Sequence, residues 1–117
     1  MSLSVSSRLE GNVAVLELDG SLTLGPSLST LRQRATQTLN ESKLAGMILQ
    51  VGRVTTADSA GLGELTVVYT LAIQRRCPIM LVEVSPTLQK MLEVTRLDAL
   101  LPSAPDLAAA KKQLMAR

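Results

Sequence analysis

Three features of the sequence predict an α/β fold built on a mainly parallel sheet. Apolar runs of strand length, such as Met47–Val51 and Ile79–Val84, alternate with segments whose apolar residues recur every three or four positions. Strands that alternate with helices need crossover connections, and those connections make neighbouring strands parallel. Gly11-Asn12 is a two-residue turn signal between the first two strand-like runs, so an antiparallel hairpin opens the sheet.

The hairpin strands are predicted around Val5 and Leu9 and over Val13 to Leu18. Gly25-Pro26 then breaks the pattern, and Pro26 suits the first position of a helix whose buried face is Leu28, Leu31, Ala35 and Leu39. That helix is expected to end near Asn40, with Lys43 to Gly46 leading into the buried strand Met47–Val51. A second helix is predicted from Ala60 to Arg75, because the residue before Pro78 disfavours helical dihedrals. After the strand Ile79–Val84, Ser85 caps a third helix with Pro86 at its first position and Leu88, Met91 and Leu92 as its buried stripe. Pro102 to Pro105 mark a boundary, and Leu107, Ala110 and Leu114 define a terminal amphipathic helix. Lys111, Lys112 and Arg117 favour the dipole at its end. Its expected role is packing, with a homodimer contact as the other use of such a face. Tyr69 and the methionines Met47, Met80 and Met91 fall at predicted core positions and suggest no cofactor box.

Composition narrows the function. A chain of 117 residues with 46% hydrophobic and 19% charged residues suits one soluble domain, and no second domain is expected. Phe and Trp are absent and Tyr69 is the only aromatic residue, so there is no stacking platform for single-stranded nucleic acid. A net charge of +2 with scattered basic residues argues further against nucleic acid as a partner. No apolar stretch nears the roughly 20 residues that span a bilayer, and no signal-peptide pattern opens the chain, so neither membrane insertion nor export is expected and a cytoplasmic location is. The absence of histidine excludes serine–histidine and cysteine–histidine catalysis, and with a single cysteine, Cys77, it leaves no ordinary zinc ligand set. No carboxylate pair suggests acid–base chemistry. Neither a catalytic residue, a metal nor a cofactor is therefore expected.

The chemistry concentrates in Thr55-Thr56-Ala57-Asp58-Ser59-Ala60-Gly61-Leu62-Gly63-Glu64-Leu65, where a strand gives way to a helix. Such a junction offers unpaired N–H groups and the positive end of a helix dipole, so it can host a side-chain oxygen or an added phosphate. The plain structural role is a cap, since Asp58 and Ser59 are both capping types. Gly61 and Gly63 each cost a helix roughly 1 kcal/mol relative to alanine, which suggests close approach by something, either this chain's own sheet or a partner. Gly61-Leu62-Gly63 also prompts an anion- or nucleotide-binding reading, but there is no phosphate-loop lysine and Thr66 stands where a third glycine would be.

Asp58-Ser59-Ala60-Gly61-Leu62-Gly63 resembles the D-S-[ST]-G-[LI]-G signature of the STAS domain, named for sulfate transporters and anti-sigma factor antagonists. Leu18 to Thr23, Leu81 to Pro86 and Leu92 to Leu97 extend the likeness, in order and spacing, over nearly the whole chain. The resemblance implies one STAS domain over residues 1–117, with a four- or five-stranded mixed sheet and helices mainly on one face. It also implies a free-standing bacterial anti-sigma factor antagonist that is a substrate rather than an enzyme. Ser59 would be phosphorylated by an anti-sigma factor that is also a serine kinase of the histidine-kinase-like ATPase type, and a serine phosphatase would reverse this. Asp58 would help set up the site and contact the kinase, and Thr23, Asp58, Ser59, Ala60, Gly61, Leu62 and Gly63 would together form the partner-binding surface. The chain departs from the family in Ala60, where a second hydroxyl is common, in Thr23, where an acidic residue commonly meets the partner, and in Gln50, where Asp is frequent. Thr55 and Thr56 are alternative phosphate acceptors. The competing function is a non-switching STAS adaptor subunit of a stress-signalling or transport complex, with Ser59 serving only the helix end.

Overall fold

In the computed structural model, which describes residues 2–41 and 43–115, the chain runs β1 (Leu3–Glu10), β2 (Val13–Leu22), α1 (Ser29–Glu41), β3 (Gly46–Ala57), α2 (Ser59–Gln74), β4 (Ile79–Val82), α3 (Pro86–Val94), a 3-10 turn (Leu97–Ala99), β5 (Ser103–Ala104) and α4 (Leu107–Met115). The five strands form one mixed sheet in sequence order. β1 and β2 are antiparallel, and every later pair is parallel. The α/β class follows the sequence prediction, and the five-stranded mixed sheet falls within the four or five strands that the family resemblance implies. Arg117 lies outside the described residues.

Helices cover the sheet unequally because its two faces carry different amounts of apolar surface. Leu16, Leu18, Leu49 and Leu81 join Leu31 and Ala35 of α1, Leu65 and Val68 of α2, and Leu88 and Leu92 of α3 in one aliphatic core. On the opposite face a smaller cluster, Val13, Ile48, Met80, Val82 and Ala104, is covered by Ala110 and Leu114 of α4, with Leu107 and Ala109 packed against it. The helices thus pack mainly on one face, as the family resemblance implies. Period-2 alternation sends neighbouring strand residues to these two layers.

Several boundaries differ from the sequence expectation, each for a physical reason. Pro26 is not the first helical residue, because Gly25–Leu28 forms turns and Ser27 Oγ accepts the Leu3 N–H at 2.9 Å; the helix starts at Ser29. β3 does not stop at Val51 but continues to Ala57, since Arg53, Val54, Thr56 and Ala57 pair with Asp19 to Leu22 of β2. β4 ends at Val82 rather than Val84, because Glu83 adopts a left-handed φ of 60° that breaks the extended chain. The segment after Pro102, read as a boundary, contributes the two-residue strand β5 beside Leu81 and Val82.

Candidate functional site

The long β2–β3 pairing carries the end of β3 beyond β4 and delivers Asp58 and Ser59 to the start of α2. Two register shifts and Gly20, at φ +114°, bend the end of β2 so that the carbonyl of Leu22 accepts the Asp58 N–H at 3.2 Å. Asp58 is the N-cap. Its extended backbone (φ −132°, ψ −176°) turns Oδ1 back to accept the Gly61 N–H at 2.9 Å. Oδ2 accepts the Leu24 N–H at 3.0 Å, tying the β2–α1 loop to the helix. The N–H groups of Gly61 and then Leu24 stabilise the ionised carboxyl and hold it below the usual carboxylate range.

Because Asp58 takes the capping role, Ser59 is the first helical residue, exposed and outside the cap. Thr23, half-buried, directly precedes Leu24 and is held beside the α2 start by the Asp58 bond. Gly61 is buried under Leu22, whose carbonyl oxygen a Cβ would strike; the chain's own packing requires that glycine. Gly63, one turn from Ser59, is exposed with nothing near its missing Cβ. Ala60 is half-buried against the core, and Leu62 is buried.

Thr55 and Thr56 lie in β3 rather than in a loop, and their hydroxyls are committed to the Gly20 carbonyl at 3.1 Å and Ser21 Oγ at 3.2 Å. Gln50 sits back in the sheet, its amide donating to Glu83 Oε2 at 2.8 Å.

Sequence reasoning missed the wall opposite Ser59. A groove of about 360 Å³ runs from Ser59 and Leu62 to Lys90, Met91 and Val94 of α3. Val94 is 75% exposed and Leu24 is 80% exposed. Val94 stands off the Leu88–Leu92 stripe, an apolar residue on a polar helix face, and that mismatch was the available signal.

A family model described as "Mlab, STAS domain" matches residues 5–102. The chain belongs to the STAS domain family. Solved structures share the STAS fold at low identity. An anti-sigma factor antagonist from Mycobacterium paratuberculosis has a TM-score of 0.79 at 18% identity, over 97% of this chain and 95% of that one. The anti-sigma factor antagonist SpoIIAA in its unphosphorylated form has a TM-score of 0.81 at 16% identity, over 97% and 98%. The murine anion transporter Slc26a9 has a TM-score of 0.81 at 14% identity, over 94% of this chain but 19% of that one. No curated protein matches the chain. Among the described residues of this STAS domain, no helix is long and apolar enough to cross a membrane.

Proposed function

We propose that this STAS protein is an anti-sigma factor antagonist working by partner switching in the cytoplasm. Unphosphorylated, it holds an anti-sigma factor that is also a histidine-kinase-like serine kinase; phosphorylated on Ser59, it lets that partner go, and a serine phosphatase resets it. The observation that carries this reading is the division of labour at the α2 start, where Asp58 caps and tethers while the Ser59 hydroxyl stays exposed beside an apolar groove. Asp58, Ser59, Gly63, the edge of Leu62 and the Thr23 loop form the partner surface, while Ala60 and Gly61 fix its backbone. The open space at Gly63 lets a partner backbone approach within one turn of the acceptor.

A phosphate on Ser59 adds about −1.5 to −2 charge, which the helix dipole favours and the Asp58 carboxylate opposes. Within the free protein these effects roughly offset. In an interface the phosphate would be desolvated against a surface fitted to a hydroxyl, and a loss of about 2.8 kcal/mol already means hundredfold weaker binding.

Incubating the protein with ATP and each small histidine-kinase-like ATPase of the source genome, followed by intact-mass spectrometry and site mapping, tests the proposal. Phosphate gained by wild type and lost in Ser59→Ala supports switching; no transfer from any candidate overturns it. The second reading is a non-switching adaptor of a transport or stress-signalling complex. The fold shared with an anion transporter supports it, as does Thr23 in place of an acidic residue. Stable co-purification with transport components that Ser59→Ala leaves unchanged would favour it.

A further inference from the structure

Among the described residues no strand pairs with the outer edge of β1, whereas most strands of this sheet are paired on both sides. Glu10 and Val13 flank the two-residue turn, and the Ser21 N–H donates to the Ser2 carbonyl. Even-numbered residues of β1 therefore direct their backbone groups toward β2, and odd-numbered ones direct theirs away. Leu3 follows this rule, its N–H pointing outward to Ser27 Oγ. That bond closes one end of the edge and leaves Val5, Ser7 and Leu9 to present theirs outward. The side chains of these odd residues lie on the α1 face, where Leu3 and Val5 are buried but Leu9 is 53% exposed. Leu9 borders a groove of about 310 Å³ with Ser7, Thr38 and Glu41.

We propose that β1 pairs antiparallel with β1 of a second copy about a two-fold axis at Ser7, making a homodimer with one sheet running through both copies. Self-complementarity selects the register. An axis at Ser7 sets Val5 opposite Leu9 of the second copy and Ser7 opposite its own equivalent. On the other face Ser6 meets Arg8, and Ser4 meets Glu10. Apolar residues face apolar ones and no like charges oppose. An axis at Arg8 would set two arginines face to face, and an axis at Ser6 would draw on the Leu3 N–H already given to Ser27. The charges that ordinarily guard an edge are engaged within each copy: Arg8 pairs with Glu10 at 2.7 Å, and Glu10 also pairs with Lys111. The opposite sheet edge, β5, is only two residues long and offers far less backbone.

Sedimentation equilibrium of the full chain tests this, with Ser7→Pro as the disrupting variant. The outward N–H of Ser7 makes no bond within the sheet, so proline is tolerated there in the monomer. Wild type is expected to sediment as a dimer at micromolar concentration, and Ser7→Pro to raise its dissociation constant at least tenfold with unchanged circular dichroism. Should that variant unfold, oxidation of Ser7→Cys decides instead. Opposed residues of a hydrogen-bonded antiparallel pair are about 5.5 Å apart at Cα, within disulfide reach. Cys77 stays out of the exchange, being buried with its thiol pushed up to about 11. Ser7→Cys is expected to give a covalent dimer and Ser103→Cys, on β5, not. A wild-type monomer at several hundred micromolar, a dimer that survives in folded Ser7→Pro, or equal cross-linking of both cysteine variants overturns the proposal.

Discussion

Gly61 and Gly63 share a helix turn and a residue type but answer to different neighbours. A methyl group at Gly61 would strike the Leu22 backbone, so Gly61→Ala is expected to destabilise by about 1–3 kcal/mol despite alanine's better helix propensity, read by urea denaturation. At Gly63 the same substitution meets open space and is expected to stabilise by about 0.5–1 kcal/mol while weakening capture of the proposed partner. Asp58 supplies a pH signature. Its carboxyl is held below the ordinary range by the Gly61 and Leu24 N–H groups, so the stability it contributes is present above the unfolded carboxylate value and is lost as pH falls through the folded one. The gap in denaturation midpoint between wild type and Asp58→Ala should therefore be full near neutrality and close in acid. The capping chemistry of Asp58 and the special status of the glycines were legible in the local sequence. Which of the two candidate residues caps, and which glycine is packed, depended on where the backbone of Leu22 runs.

At the scale of elements, α3 is set by a signal written into four adjacent residues. Ser85 Oγ accepts the Leu88 N–H at 3.1 Å and Pro86 occupies the first turn. Ser85→Ala should cost about 1 kcal/mol and loosen the α3 wall of the Ser59 groove, seen as faster amide exchange over Leu88 to Leu92. α2 and α4 report on the two faces of the sheet. Leu65, fully buried in the larger core cluster, should lose about 2–5 kcal/mol on truncation to alanine. Leu114, 6% exposed over the thinner cluster, should sit at the lower end of that range. Helices with strong stripes and caps were readable from periodicity. The polar half of β3 was not, because Arg53, Thr55 and Thr56 break the apolar run and are extended through pairing with β2. β5 has no local signal at all; two residues between prolines become a strand only because β4 offers them a ladder.

For the molecule as a whole, the proposed switch demands that signal and stability be separate. Ser59 is exposed and outside the cap, so Ser59→Asp should leave the thermal midpoint within a degree or two while weakening kinase binding at least tenfold, measured by calorimetry. Equal affinity of both forms would remove the mechanism. A two-fold pairing through β1 would add a second scale of organisation without touching the α2 start. By itself the sequence determined the α/β class, the order of the elements from β1 to α3 with the terminal helix α4, and the strand-to-helix junction that holds Asp58 and Ser59, because strand period, helix period and turn chemistry are local properties of the chain. Only the tertiary structure decided that Leu24 is bonded to Asp58, that Met91 and Val94 face Ser59, that Gly61 is claimed by β2, and that β1 ends the sheet with an open edge. Each of these joins residues far apart in the chain, and long-range contacts are set by how the layers pack, which no local pattern encodes.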